Sequence, residues 1–418
     1  MNDPYSYRLL GWKKDDPYWR REKSLESIIE LIQEVAEHEG NLQRVHTPFP
    51  LCNQILDRLE QEIRLKDCDC IAVLFNLEFV PCLVERGVNP RRIWFFADSP
   101  LKRKRAEEWY NVHAVDIRYD NTKKNGERIV IVPKIKKRFD VAIMNPPYQP
   151  TVNSTGGGTK SHGNVIWPRF VELALGITAE NGFIAAVHPV AWRKPLSDLF
   201  PVMTSRNILY LETHTKKDGI KTFGASTPLD WYILQNSPAN GKTTVVRDVN
   251  GEIQKIDLRE FSFLPNCDFK FIQSLIAGPN DEKCEVLYSR SIYGSDKPWM
   301  NEEKKGKFKY PCVHSTPTNG DPRLWFSSKR EEFFGVSKVI FGDSDTITSV
   351  IIDMDGKYGI TDHGIGAAVS SRTEADGLKR ALESSKFNDV LKACRWSQFQ
   401  IDWRLFTLFR ADFWKEFI

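Results

Sequence analysis

No apolar run in this 418-residue chain approaches the length of about 20 residues that spans a lipid bilayer. The first residues, Met1 to Tyr5, are polar and form no hydrophobic segment of a signal peptide. From these two absences we expect a protein with no membrane partner and a cytoplasmic location.

The cysteines show no metal-binding or redox spacing. Among the eight cysteines no Cys-x-x-Cys pair occurs, and the only closely spaced pair is Cys68 and Cys70. No histidine stands beside them at the spacing that zinc sites use. We therefore expect free, reduced cysteines and no structural metal.

A strong excess of one charge is also missing, because the formal net charge is only +4. With 41% hydrophobic and 27% charged residues, the composition is that of an ordinary globular protein, long enough for two or three domains. A nucleic-acid partner would therefore depend on local basic clusters rather than on the charge of the whole chain.

The most informative stretch follows an apolar run at residues 138–144, which has the length and bulk of a buried parallel strand. Directly after it come Asn145, Pro146, Pro147 and Tyr148. The prolines fix φ and remove two backbone donors, so the side-chain oxygen of Asn145 and the carbonyl of Pro146 form a rigid rim of acceptors. In open α/β sheets, ligands bind at the carboxyl ends of strands.

Such a rim suits an exocyclic amine on an aromatic ring. Two acceptors on its N–H bonds pull the nitrogen toward a tetrahedral geometry and localise its lone pair, while the ring of Tyr148 stacks on the base. The alternative is an ordinary turn, because Pro-Pro is a common turn marker.

The segment Phe139 to Tyr148 resembles the catalytic motif of S-adenosylmethionine-dependent amino-methyltransferases, above all the DNA adenine-N6 methyltransferases. The resemblance implies that Asn145 and the Pro146 carbonyl bind the target amine of an adenine flipped out of double-stranded DNA, and that Tyr148 stacks on it. It further implies that Phe223 covers the second face of the base, although a core phenylalanine is the alternative.

The predicted sheet supplies candidate contacts for S-adenosyl-L-methionine. Asp98 ends the second strand (92–98), where an acid can accept hydrogen bonds from ribose hydroxyls; the alternative is a helix cap. The resemblance implies that Asp116, the last residue of the predicted third strand (112–116), meets the adenine of the cofactor. It also implies that Thr47-Pro48, which suits a helix start, lies against the methionine part.

The loop after the first strand (71–76) departs from the family. The family places glycines there because they let the backbone approach the cofactor closely. This chain has Asn76-Leu77-Glu78 and no glycine until Gly87. Either Asn76 and Glu78 bind the cofactor in another way, or the cofactor site is degenerate.

We predict an α/β fold, a Rossmann-like methyltransferase sheet with helices on both faces, plus a C-terminal α+β target-recognition domain. The predicted boundaries are a helical extension at 1–44, the catalytic domain at 45–238 and the target-recognition domain at 239–418. Within the last we expect a β-hairpin at 349–361, turning at Asp-Gly, and a helix at 378–393.

Basic and flexible segments are candidate DNA contacts. The glycine-rich loop at 151–164 follows the rim directly, with Lys160 near a phosphate. In the C-terminal half, ordinary surface charge or phosphate contact explains the basic residues equally well. They are Lys304, Lys305, Lys307, Lys309, Lys329 and Arg330.

Three functions remain open. The first is a DNA adenine-N6 methyltransferase of a restriction–modification or phage system, with a cognate restriction endonuclease or partner subunit as a possible partner. The second is an amino-methyltransferase on cytosine N4, RNA adenine or a glutamine amide. The third is a DNA-binding subunit that keeps the fold with a degenerate cofactor site.

Overall fold

The structure is a computed structural model that describes residues 47–120, 128–132, 136–148, 165–224, 226–317, 321–396 and 400–418. The predicted N-terminal extension and the glycine-rich loop with Lys160 lie outside these residues. The chain divides into two compact units: the described residues up to Trp192 with Asp198–Glu260, and Arg193–Ser197 with Phe261–Ile418.

The first unit is built on one sheet, in the order β10-β9-β7-β8-β6-β5-β1-β2-β3-β4. Its strands are β1 (Ile71–Leu74), β2 (Ile93–Ala97), β3 (His113–Asp120), β4 (Arg128–Val132), β5 (Phe139–Met144), β6 (Thr178–Pro189), β7 (Arg206–His214), β8 (Leu229–Pro238), β9 (Thr244–Arg247) and β10 (Ile253–Ile256). The predicted first, second and third strands and the strand before the rim are confirmed.

The strand order reverses at β1. This strand pairs in parallel with β2 on one side, where Ile71 is level with Ile93, and with β5 on the other, where Ile71 is level with Val141. A crevice forms where the connections from two such neighbouring strands run in opposite directions. The carboxyl ends of β1 and β5 are therefore the place in this sheet best suited to a ligand.

Helices cover both faces of the sheet. Those of the first unit are α1 (Phe49–Leu59), α2 (Phe79–Glu85), α3 (Pro100–Tyr110), α4 (Trp167–Ile177), α5 (Leu199–Thr204) and α6 (Lys216–Phe223). On one face, Ile55, Val80 and Ala106 of α1, α2 and α3 share a core with alternate strand residues such as Val73 and Val141. On the other, Trp167 of α4 stacks on His188 with ring centroids 4.4 Å apart. The predicted Rossmann-like α/β class is confirmed.

The first unit continues past the predicted end of the catalytic domain at residue 238. β9 pairs in parallel with β7, and β10 pairs antiparallel with β9, so both extend the same sheet as far as Ile256. The compact unit then ends at Glu260.

The second unit contains two four-stranded sheets and several helices, the α+β arrangement that the sequence predicts. The sheets run in the orders β11-β18-β15-β16 and β12-β14-β13-β17. Their strands are β11 (Val286–Leu287), β12 (Met300–Asn301), β13 (Tyr310–Ser315), β14 (Arg323–Ser327), β15 (Lys338–Gly342), β16 (Val350–Asp353), β17 (Gly359–Ile360) and β18 (Gly364–Ala368). The helices are α7 (Phe269–Leu275), α8 (Arg290–Tyr293), α9 (Arg372–Glu383) and α10 (Ser385–Ala393).

The predicted hairpin at 349–361 is wrong. β16 pairs with β15, whereas β17 pairs in parallel with β13 of the other sheet. The reason lies in Asp353, whose carboxylate accepts the backbone N–H groups of Lys357 and Tyr358 and the ammonium of Lys338. These bonds direct the chain into the second sheet. The predicted helix at 378–393 is two helices, because Ser384 ends α9 and caps α10.

The described residues include no helix long and apolar enough to cross a membrane. In the same part of the chain, no three His, Cys, Asp or Glu side chains are grouped so that they could hold a metal ion. All eight cysteines are free.

Candidate active site

Asn145 stands at the switch point of the sheet, directly after β5, and is buried. Its backbone N–H donates to Oδ1 of Asn76, which follows β1, over 2.9 Å. Its side-chain Nδ2 donates to Oγ1 of Thr47 over 3.1 Å. An amide that donates through Nδ2 in one direction presents Oδ1 in the other, so in this arrangement Asn145 offers an acceptor on the side away from Thr47.

Tyr148 marks the side to which that acceptor points. Its hydroxyl donates to Oδ1 of Asn145 over 3.0 Å. Burial raises the pKa of Tyr148 well above its ordinary value, so the phenol stays a neutral donor. A carbonyl oxygen has two lone pairs, so Oδ1 can accept an incoming N–H beside the phenol or in its place.

Pro146 and Pro147 complete the rim between these two residues. Pro146 is buried and Pro147 is half-buried. Neither has a backbone N–H, so this stretch offers carbonyl acceptors and no donors. The structure therefore brings together Thr47, Asn76, Asn145, Pro146, Pro147 and Tyr148 of the predicted site residues.

The loop from β1 to α2 turns without glycine. Phe75 takes a φ of 73°, the left-handed conformation that costs an L-residue with a side chain about 1–2 kcal/mol. Its N–H donates to the carbonyl of Phe96 over 2.9 Å, and its ring meets Phe170 edge to face at 4.6 Å. Glu78, at the start of α2, is 4% exposed.

Asp98 lies just after β2, as predicted for a ribose contact, and its alternative as a helix cap is wrong. The cap of α3 is Ser99, whose hydroxyl accepts the backbone N–H of Lys102 over 3.4 Å. The Asp98 carboxylate instead forms an ion pair with the Lys102 ammonium, with Oδ1 3.4 Å from Nζ.

Lys102 is the residue that sequence reasoning missed. It stands in the basic cluster 102–105, which the sequence predicts to be the solvated face of a helix, with a phosphate contact as the alternative. Its side chain is only 7% exposed, whereas that of Lys104 is 67% exposed. One sequence signal could have indicated a buried Lys102: a helix that begins at a proline directly after a strand that ends in an acid. Position 102 then lies one helical turn from Asp98 and faces it.

Asp116 lies on β3 level with Ala97 at the end of β2. Its side chain is 18% exposed and forms an ion pair with Arg103 over 3.4 Å. Asp98, just after β2, and Asp116, on the neighbouring parallel strand β3, thus supply two carboxylates at this part of the sheet. Carboxylate oxygens accept hydrogen bonds from hydroxyls and amines, so this pair fits the ribose and the adenine amine of an adenosine.

Phe223 is the last residue of α6, which ends at Gly224 with a φ of 65°. It is half-buried and packs against the core of the first unit. This contact agrees with the alternative of a core phenylalanine, and its position over a target base stays a prediction.

No protein-family model and no curated protein matches the chain. Among solved structures it is similar to a type I restriction–modification system chain, at 13% identity over 56% of this chain and 50% of that one (TM-score 0.37). It is also similar to the type IIG restriction endonuclease BpuSI, at 11% identity over 89% and 60% of the two chains (TM-score 0.42). A third is a protein from Listeria monocytogenes described as a class I S-adenosylmethionine-dependent methyltransferase, at 10% identity over 59% and 84% (TM-score 0.37). The chain spans about half the length of the first of these.

Proposed function

We propose that this chain transfers a methyl group from S-adenosylmethionine to the N6 amine of an adenine flipped out of double-stranded DNA, within a restriction–modification or phage modification system. The observation that supports this most is the fixed orientation of Asn145. Its Oδ1 stands at the switch point of the sheet, beside two prolines and a neutral phenol. A rigid, uncharged acceptor favours an N–H donor over an anionic or acceptor-only substrate.

The reaction follows from the positions of the protein groups. The target amine donates one N–H to Asn145 Oδ1 and the other to the Pro146 carbonyl, which localises the nitrogen lone pair for attack. Tyr148 stacks on one face of the base and Phe223 covers the other. The attacking nitrogen releases one proton to solvent after transfer, so no side chain needs to remove it first.

Asp98 and Asp116 would hold the adenosine of the cofactor, with Thr47, Pro48, Asn76 and Glu78 around its methionine part. When bound, the cofactor supplies an electrophilic methyl group on its sulfonium. Thr47 and Asn76 also support Asn145, so the same residues would place the methyl donor and the target amine next to each other.

In the second unit, basic side chains at the paired ends of β13 and β14 are the proposed phosphate contacts. Lys309 donates its N–H to the Ser327 carbonyl, which brings β13 and β14 together there. Lys329 lies with Nζ 4.1 Å from the ring centroid of Trp299. Lysines in such a position can neutralise backbone phosphates. A cognate restriction endonuclease or partner subunit is part of the same proposal.

A second candidate is a DNA-binding subunit with weak cofactor affinity. Two features favour it. The Asp98 carboxylate, which would otherwise be open to the ribose, already forms an ion pair with Lys102. The loop after β1 has no glycine that would let its backbone approach the cofactor closely. A binding measurement distinguishes the two candidates: the methyltransferase binds the cofactor as a single chain, whereas the DNA-binding subunit binds it weakly.

Product identification tests the proposal. Purified protein is incubated with labelled S-adenosylmethionine and either duplex DNA free of methylated bases or single-stranded RNA, and the digested nucleosides are analysed by mass spectrometry. We expect N6-methyladenine from the duplex. N4-methylcytosine, or label in RNA alone, would assign the rim to another amine. No label and no cofactor binding in calorimetry would favour the DNA-binding subunit.

A further inference from the structure

Lys102 is a buried cation that forms an ion pair with a carboxylate and donates to a backbone carbonyl. Its Nζ lies 3.4 Å from Oδ1 of Asp98 and 3.4 Å from the backbone carbonyl of Phe75. Burying an ammonium is unfavourable unless it is paired and hydrogen-bonded. On a helix with many exposed charged side chains, Lys102 points inward because the Asp98 carboxylate and the Phe75 carbonyl stabilise its buried ammonium.

The carbonyl that Lys102 binds belongs to the strained residue of the loop. Phe75 keeps its left-handed conformation, with a φ of 73°, only if its surroundings fix it. Its N–H is held by the carbonyl of Phe96 and its own carbonyl by Lys102. Hydrogen bonds to its N–H and its carbonyl therefore hold Phe75 in the left-handed conformation, which a glycine adopts without such support.

The next residue connects this loop to the acceptor rim. Asn76 follows Phe75, and its Oδ1 accepts the backbone N–H of Asn145 over 2.9 Å. A continuous series of contacts therefore runs from the Asp98 carboxylate through Lys102 and the Phe75 carbonyl to Asn76 and Asn145.

We propose that Lys102 is a positioning residue that replaces the missing glycines. Its ammonium fixes the loop at 75–78 and thereby holds Asn145 in place, and it links the acid at the end of β2 to the acceptor of the target amine. The link to the cofactor rests on the proposed function, which assigns Asp98 to the ribose. If ribose hydroxyls share that carboxylate with Lys102, binding at one site changes the other, and the coupling is reciprocal.

Hydrogen–deuterium exchange of the full chain, without cofactor or DNA, tests the loop directly. The Asn145 N–H is protected by the side chain of Asn76, and the Phe79 N–H donates to the Asn76 carbonyl over 3.3 Å. Because Pro146 and Pro147 have no amide hydrogen, a peptide that covers the rim carries few exchanging hydrogens and reports on Asn145 clearly.

In Lys102→Met we expect the peptides with Asn145 and Phe79 to exchange at least tenfold faster than in the unchanged protein. Lys104→Met, on the same helix but exposed, is the matched control and should leave both peptides unchanged. Equal protection in Lys102→Met and the unchanged protein would overturn the proposal.

A double variant separates positioning from charge neutralisation. Lys102→Met leaves the Asp98 carboxylate without this cation, and Asp98→Asn combined with Lys102→Met removes that charge. If Lys102 only neutralised Asp98, the double variant would regain the original protection, which would refute the proposal. We expect the fast exchange to persist, because the Phe75 carbonyl still lacks its donor.

Calorimetry with S-adenosylhomocysteine then measures the link to the cofactor. We expect Lys102→Met to weaken binding at least fivefold and Lys104→Met to leave it unchanged. If the unchanged protein does not bind this ligand, the proposed function fails, while the exchange experiment still decides whether Lys102 holds the loop.

Discussion

Replacing Thr47 by valine tests how the acceptor of the target amine is oriented. Thr47 is 1% exposed, and its Oγ1 accepts from Nδ2 of Asn145 over 3.1 Å. Valine has nearly the same shape and lacks the acceptor. The substitution therefore removes the partner of the Asn145 Nδ2 and little else.

The size of the effect follows from the bond that is lost. A hydrogen bond between neutral groups contributes about 0.5–1.5 kcal/mol net. If this bond holds the Asn145 side chain in place for the target amine, its loss lowers the rate of transfer about two- to thirteenfold, at about 1.36 kcal/mol per tenfold. Thr47→Ser keeps the hydroxyl and should transfer at nearly the original rate.

The assay is single-turnover methyl transfer to duplex DNA, with cofactor affinity measured separately by calorimetry. We expect Thr47→Val to lower the transfer rate at saturating cofactor, in addition to any weaker binding of S-adenosylhomocysteine that follows from the proposed contact of Thr47 with the cofactor. A weaker dissociation constant with an unchanged rate would refute this reasoning and assign Thr47 to the cofactor alone. Equal rates in the valine and serine variants would also refute it.

Three further outcomes follow from the structure. Lys338→Met removes a cation 2.7 Å from Asp353, in a pair that is 0% and 2% exposed, so the free energy of unfolding should fall by about 3 kcal/mol in chemical denaturation; a loss under about 1 kcal/mol would contradict this. Gly377→Ala places a methyl group against the ring of Trp414 and should cost about 1–3 kcal/mol, seen as a lower melting temperature. Burial raises the pKa of Glu212, but hydrogen bonds from His214 and Tyr210 outweigh it and the net pKa is lowered. Its stabilisation is then present above an unfolded pKa of about 4.3 and lost as pH falls through the lower folded value, so Glu212→Gln should flatten the dependence of unfolding free energy on pH below about pH 5.

The sequence predicts the central strands because they are buried on both faces. β1 is buried at every position, and β2 and β5 nearly so, which gives continuous apolar runs that need no tertiary information. The rim at Asn145 is equally local, since its shape depends on two prolines next to it. These parts of the fold and of the candidate site are therefore accessible from sequence alone.

The supports of the rim are not local. Thr47 and Asn145 are 98 residues apart in the chain, and Asn76 and Asn145 are 69 apart. Their contacts depend on β1 and β5 being neighbours, which only the assembled sheet shows. The sequence places Thr47 and Asn76 at the cofactor, and the structure adds their bonds to Asn145.

Local signals also fail where a distant side chain competes. Asp-Gly after β16 is a strong hairpin signal, yet the Asp353 carboxylate binds the backbone beyond it and the strand joins another sheet. Lys102 resembles its exposed neighbours in sequence and is buried because two acceptors lie behind it. In both cases the deciding partner belongs to another element of the fold.

Comparison of the unchanged protein with Asn145→Ala tests the central claim most directly. Both are incubated with labelled S-adenosylmethionine and unmethylated duplex DNA, and N6-methyladenine is quantified, with thermal unfolding as the control for folding. Removing one positioned hydrogen-bonding group from a reaction centre typically costs on the order of a hundred- to a thousandfold in rate. We predict a loss of that size in Asn145→Ala, with N6-methyladenine formed by the unchanged protein. Retention of the rate within about threefold by a folded Asn145→Ala variant would contradict the account.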